Sequence, residues 1–214
     1  MPNFNLIKSD AHRWLQSVKS IPNIFTGPPD LAETKFDNLQ DYEKFLYETA
    51  KLMLEKLDPH GFAFFQFTDR RRAGEWVDKS YHIMKAGRDT NTPLKWHKII
   101  VFGDVGRVNI HRPTYQHYLC FSKKGKMSAR TPDVMKSGLR AHKNAHTGEG
   151  LRHVFDFLDR RSSKKEIIDP FCGWGSALVE GLKRGYKVTG IDIDKDAIEL
   201  CQRRLSMYCS GDDD

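Results

Sequence analysis

No stretch of this 214-residue chain approaches the roughly 18 consecutive apolar residues that a membrane-spanning helix requires. The opening Met-Pro-Asn-Phe-Asn-Leu-Ile-Lys lacks the apolar core of a secretory leader. Neither a membrane nor an export route is therefore expected, and an intracellular location is. Cysteine is scarce: Cys120, Cys172, Cys201 and Cys209 form no C-x-x-C pair. That excludes a disulfide scaffold and a zinc ribbon, and leaves reduced thiols as the expectation. Histidine is present, but there is no H-E-x-x-H, and His142 and His146 sit in a basic, glycine-flanked stretch, so no metal site is expected. Internal repeats are absent too. Acidic residues are nearly missing from one segment: residues 105–148 hold nine basic side chains against a single acid, Asp133. The flanking stretches are close to neutral, net +1 over 1–104 and −2 over 149–214, so this segment carries the whole excess behind the formal charge of +7. A focused cationic stretch attracts polyanions, of which nucleic acid is the commonest.

What is present is an alternation of short apolar runs and amphipathic stretches. Seven runs read as strands: Asn5–Ser9, Asn23–Thr26, Gly61–Thr68, His97–Phe102, His117–Ser122, Glu166–Asp169 and Lys187–Ile193. Most lack clean polar alternation, the mark of strands buried on both faces. Helical spacing is clearest over Asn38–Leu57, where Tyr42, Phe45, Leu46, Thr49, Ala50, Met53 and Leu57 share a face. Further helices are expected over Arg72–Lys85, Gly150–Arg160, Ser176–Arg184 and Asp194–Leu205, with 86–95 as a loop. Alternation of this kind predicts a mainly parallel sheet covered on both faces.

The strongest local signal is Glu166-Ile-Ile-Asp-Pro-Phe-Cys-Gly-Trp-Gly-Ser176, which reads as strand, acidic turn, glycine loop and helix start. Gly173 and Gly175 let backbone approach a ligand closely, and Ser176 is placed to cap the following helix. The third glycine of a dinucleotide fingerprint is missing, because Ser-Ala-Leu follows Gly175. Asp169 just before the loop would repel a pyrophosphate but suits a ligand with a cationic end. Asp192 closes the next strand 23 residues beyond Asp169, where a carboxylate can accept both ribose hydroxyls of an adenosine. Asp194 is then read as the cap of the last helix.

Asp-Pro-Phe-Cys-Gly-Trp-Gly-Ser resembles the D-P-F-x-G-x-G-[ST] motif of S-adenosylmethionine-dependent methyltransferases that modify exocyclic amino groups in nucleic acid. Its place late in the chain resembles the permuted, beta-class order, with the catalytic half first and the cofactor half last. The resemblance implies a single Rossmann-like α/β domain with a seven-stranded sheet whose last strand pair is antiparallel. Residues 1–122 would form the catalytic half, 123–148 a basic excursion, 149–209 the cofactor half and 210–214 an acidic tail. It also implies cofactor contacts: Asp10 at the adenine, Thr147 at the methionine end, and Asp169, Phe171, Gly173, Gly175, Ser176 and Asp192 around the rest. Gly27-Pro-Pro-Asp30 stands where the family has its catalytic tetrapeptide, usually [DNS]-P-P-[YFW]. Pro28 and Pro29 match, while Gly27 and Asp30 depart at the two ends. Asp30 is left three roles: it takes a proton or hydrogen bond from an unusual acceptor, it leaves stacking to another aromatic such as Phe36, Trp76 or Tyr115, or it marks a site that binds without turnover. Arg107, Arg112, Tyr115, Lys123, Lys124 and Lys126 are the expected substrate contacts. The expected substrate is a nucleic-acid base, with RNA favoured over DNA because the basic insert is short. A partner subunit supplying target recognition would also explain that shortness.

Overall fold

The computed structural model describes residues 3–210 apart from Ala73, His111, 127–130 and 139–147. Thr147, His142, His146 and the acidic residues 212–214 lie outside the described residues.

All seven expected strands form, and the described residues add three more. The chain runs β1 (Phe4–Lys8), α1 (Ala11–Ser17), β2 (Ile24–Thr26), a 3-10 turn (Leu31–Glu33), α2 (Leu39–Lys56), β3 (Ala63–Phe67), β4 (Arg70–Arg72), β5 (Glu75–Val77), α3 (Lys79–Asp89) and β6 (Leu94–Val101). It continues through β7 (Tyr115–Phe121), β8 (Val134–Lys136), α4 (Gly148–Arg161), β9 (Glu166–Asp169), α5 (Ser176–Lys183), β10 (Lys187–Asp192) and α6 (Lys195–Ser210). Eight strands make one sheet in the order β1-β10-β9-β2-β3-β7-β6-β8. Every pair is parallel except the two made by β7, which runs against both β3 and β6.

The missing alternation in the strands has its cause in the two faces. Phe62 and Phe64 point into one core with α4, α5 and α6, while Ala63, Phe65 and Phe67 point into another with α1, α2 and α3. Side chains on successive residues of a strand face opposite ways, so a strand covered on both sides must be apolar throughout. The α2 stripe is buried as expected at Tyr42, Leu46, Thr49, Ala50 and Met53, and Asn38 caps the helix by accepting from Asp41 N.

Four expectations need correction. The sheet has eight strands, because Val134–Lys136 from the basic segment pairs with β6. Buried Lys98 holds that segment in place, donating to the carbonyls of Thr131 and Pro132 at 3.0 and 2.6 Å and to Asp133 at 3.2 Å. The expected antiparallel pair is the one β7 makes with β6, β7 being inserted between β3 and β6. Arg72 does not start a helix: Arg70–Arg72 and Glu75–Val77 form an antiparallel ribbon around Gly74, whose φ of +85° suits glycine. The helix begins only after Asp78, which caps it by accepting from Tyr81 N, and it runs to Asp89, well into the stretch read as loop. Finally, Gly175 occupies the cap position of α5 and Ser176 is its first residue.

Candidate functional site

In an open α/β sheet ligands gather at the carboxyl ends of strands where connections diverge to opposite faces. That point here lies between β9 and β2, which pair through Ile24 and Ile168. From β9 the chain passes to α5 on one face, and from β2 it passes to α2 on the other. The glycine loop and the Gly27-Pro-Pro-Asp30 turn therefore leave adjacent strand ends, although 139 residues separate Asp169 from Asp30 in sequence. Thr26 Oγ1 joins the two by donating to Asp169 Oδ1 at 2.9 Å.

The glycine loop is built for close backbone approach. Gly173 and Gly175 both have positive φ, +48° and +73°. A Cβ on Gly175 would stand 2.3 Å from Cys201 Sγ, whereas one on Gly173 would meet nothing within 4 Å among the described residues. Gly175 is thus needed for packing and conformation, and the space at Gly173 is open. Asp192 anchors the loop: Oδ2 accepts from Gly173 N at 2.8 Å and Oδ1 from Asp194 N at 2.9 Å. Asp194 caps α6 by accepting from Asp196 N at 2.9 Å, as its position in the sequence predicts. Asp10 lies at the next strand end, exposed, and caps α1 by accepting from Arg13 N. Phe171 is half-buried, with its ring edge-on to Phe45 at 6.0 Å. Asp169 is buried and accepts from Phe171 N at 3.1 Å. Burial pushes its carboxyl up to about 7, with Phe171 N and Thr26 opposing and Asp192 adding to the rise.

On the other side of the switch point Asp30 is fully engaged. Arg70 donates to it through Nε at 2.7 Å and also through Nη2, and Lys79 Nζ donates to its other oxygen. Its backbone N–H donates to Glu33 at 2.8 Å. Burial alone would raise the Asp30 carboxyl, but the two cations hold it below the ordinary carboxylate range. Lys79 is 1% exposed, and its ammonium is pushed down by that burial, with Asp30 opposing. Tyr42 donates to Pro29 O at 2.8 Å, which fixes the turn from the α2 side. Beyond Lys79 the network continues: Lys79 N donates to Asp69 Oδ1 at 3.0 Å. Asp69 Oδ2 accepts from His117 Nε2 at 2.8 Å, and His117 Nδ1 lies 2.8 Å from His97 Nε2. Tyr115 packs edge-on against His117 with ring centroids 5.3 Å apart.

The expected substrate contacts separate into two groups. Tyr115, Arg107 and Arg112 lie at the carboxyl edge, where the two arginines line a cavity of about 310 Å³ together with Asn109, Thr114, Ser137 and Gly138. Lys123, Lys124 and Lys126 follow the far end of β7, which reverses direction and ends beside Ala63 at the opposite edge. There Lys123 Nζ donates to the carbonyls of Glu55 and Leu57, and Lys124 N to that of Pro59. Lys123 thus caps the end of α2, and all three lysines follow the edge opposite the carboxyl strand ends. Arg70, Lys79, Tyr42 and the Asp69–His117 pair are contributors that periodicity and motifs do not reveal. Their sequence signals are positional alone: Asp69 and Arg70 directly follow a strand end, Tyr42 lies on the α2 stripe and His117 opens a strand run.

No protein-family model matches the chain. The fold is the Rossmann-like methyltransferase fold, with the glycine-loop half last. The chain is similar to the TTHA0409 protein of Thermus thermophilus, solved in complex with S-adenosyl-L-methionine, at a TM-score of 0.72 and 17% identity, covering 97% of each chain. It is also similar to PvuII DNA methyltransferase (cytosine-N4-specific), at a TM-score of 0.74 and 15% identity, covering 95% of this chain and 88% of that one. In sequence it is 41% identical over 58 residues to the type II methyltransferase M.VspI of Vibrio sp. (strain 343). That match takes in 26% of this chain and 14% of the relative, so the chain spans only a small part of that protein. Among the described residues no helix is long and apolar enough to cross a membrane.

Proposed function

We propose that the chain is an S-adenosylmethionine-dependent methyltransferase acting on a nucleic-acid base. The observation that carries the reading is the switch point, where a loop with two left-handed glycines, anchored by Asp192, stands beside the Gly27-Pro-Pro turn. The residues fit the cofactor. Open space at Gly173 admits an adenosine edge, and each Asp192 oxygen keeps a lone pair for a ribose hydroxyl beyond the backbone amide it already binds. The resemblance assigns Asp10, Asp169, Phe171, Gly175 and Ser176 to the same cofactor, and Thr147 to its methionine end. When bound, S-adenosylmethionine supplies an electrophilic methyl group on sulfur.

The chain's own part is positioning. A proline carbonyl of the turn accepts a hydrogen bond from the acceptor's N–H; Pro29 O keeps a second lone pair beyond the one that Tyr42 engages. Asp30 acts as a positioning residue, fixing the turn through Arg70 and Lys79. Arg107 and Arg112 bind phosphate, and Tyr115 lines the path to it. RNA is favoured over DNA by the shortness of the basic insert.

A second reading, a subunit that binds the cofactor without turnover, is favoured by one observation: Gly27 offers no side-chain acceptor and both Asp30 oxygens are engaged by Arg70 and Lys79. Calorimetric titration with S-adenosylmethionine, with NAD as control, tests the cofactor half. Labelled methyl transfer to total RNA and to genomic DNA then separates the two readings. Binding with transfer supports the first, binding without transfer to either pool supports the second, and no cofactor binding refutes both.

A further inference from the structure

The turn lacks the aromatic that a displaced base would stack on, yet the same ion network that occupies Asp30 fastens an aromatic element beside it. Arg70, the first residue of the β4–β5 ribbon, is held by Asp30, and Arg72 donates to Asp37 O at 3.4 Å. In the ribbon's register Arg70 faces Val77, Arg71 faces Trp76 and Arg72 faces Glu75. Cross-strand partners share a face, and successive pairs alternate between faces. Val77 is buried against Tyr42 and Leu46, so the Arg70–Val77 face points into the protein. The Arg71–Trp76 pair therefore occupies the outer face. Trp76 is 42% exposed, and the Arg71 guanidinium sits over its ring at 5.4 Å. The other two stacking candidates are committed elsewhere. Phe36 packs on Phe45 with ring centroids 5.2 Å apart, and half-buried Tyr115 packs on His117. The outer face thus offers an indole flanked by Arg71, while the exposed Arg72–Glu75 pair takes the face of Arg70–Val77 and exposed Asp78 follows the ribbon.

We propose that the outer face of the β4–β5 ribbon is a single-stranded nucleic-acid site, in which Trp76 stacks an unpaired base and Arg71 contacts the adjoining phosphate. The inference rests on the nucleic-acid reading above and adds to it the element that holds the strand. Every base has a π-face, so such a platform is tolerant of sequence, and a positive rim makes its affinity depend on salt. The Arg70–Asp30 contact ties the ribbon directly to the acceptor turn.

The test uses the full chain with fluorescein-labelled oligothymidine and oligouridine at low salt, read by anisotropy. Trp76→Ala is expected to weaken binding about tenfold, the order of one lost base–aromatic stack, and Trp76→Phe to restore most of it. Arg71→Gln is expected to lower the slope of log affinity against log salt by about one. Cofactor affinity and thermal midpoint should be unchanged in all three, since neither side chain is buried. Trp76→Ala and Arg71→Gln binding as tightly as the wild type, with the same salt slope, would overturn the ribbon site and leave the nucleic-acid reading standing; a ribbon that serves a protein partner gives this result. A wild-type chain that binds the cofactor but neither oligonucleotide would overturn both.

Discussion

Removing the Asp30 carboxylate tests whether this residue anchors the turn or performs chemistry. Lys79 is 1% exposed and Asp30 18%, so Asp30→Ala leaves a buried ammonium whose remaining acidic neighbour is Asp69, which already accepts from the Lys79 backbone. Breaking a buried pair by deleting one partner costs about 3–5 kcal/mol, and the partial exposure of Asp30 places this case near the lower end. Arg70, at 35% exposure, adds little, because solvent can take its place. For a chain of this length about 3 kcal/mol lowers the thermal midpoint by roughly 6–12 °C. Circular dichroism melts at neutral pH measure this directly. The double variant Asp30→Ala, Lys79→Met should recover most of the loss, because an apolar side chain needs no counter-charge in that position. The sign with pH is also set. The folded Asp30 pKa is depressed, so its stabilisation is present above the ordinary carboxylate value of about 4 and disappears as pH falls through the lower, folded value. Cofactor affinity should be nearly intact, since no atom of Asp30 reaches the glycine loop. A midpoint within about 2 °C of wild type, or a Lys79→Met change that fails to rescue, would refute the anchoring role.

Other expectations follow from the same geometry. Gly175→Ala should prevent stable folding of the α5 start, because its Cβ would stand 2.3 Å from Cys201 Sγ at a φ of +73°; Gly173→Ala should cost only about 1–2 kcal/mol by chemical denaturation while sharply weakening calorimetric binding of S-adenosylmethionine. Asp169 has a raised folded pKa of about 7, so its contribution to stability is fully present below about pH 4 and is lost as pH rises to about 7; urea melts of Asp169→Asn should show that decline flattened. Arg107→Gln and Arg112→Gln should each reduce the salt slope of nucleic-acid binding by about one, whereas Lys123→Gln and Lys124→Gln should leave it unchanged, with Lys123→Gln lowering stability slightly by uncapping α2. Equal effects from both edges of the sheet would remove the distinction between them.

The sequence alone determined the elements whose cause is local. Apolar runs fixed the seven strands because strands covered on both faces cannot alternate. Asn38 and the stripe from Tyr42 to Met53 fixed α2, and the glycines of 173 and 175 announced a loop in which only glycine fits the backbone. The resemblance of that loop to a methyltransferase motif carried the fold and the order of its halves. Where local signals were weak or conflicting, reading by period failed: Arg70–Val77 is too short to show a strand pattern, and Val134–Lys136 becomes a strand only because β6 and Lys98 hold it. Tertiary structure decided everything that depends on direction and distance. Reversal of β7 sends Lys123 and Lys124 to the wrong edge, although they stand only eleven and twelve residues after Arg112 in the chain. Placement of α3 brings Lys79 to Asp30 across 49 residues, turning a side chain that composition marks as a free carboxylate into a paired one. No pattern within a segment encodes such a meeting, because the energy that fixes it, desolvation offset by charge pairing, exists only once the elements have packed.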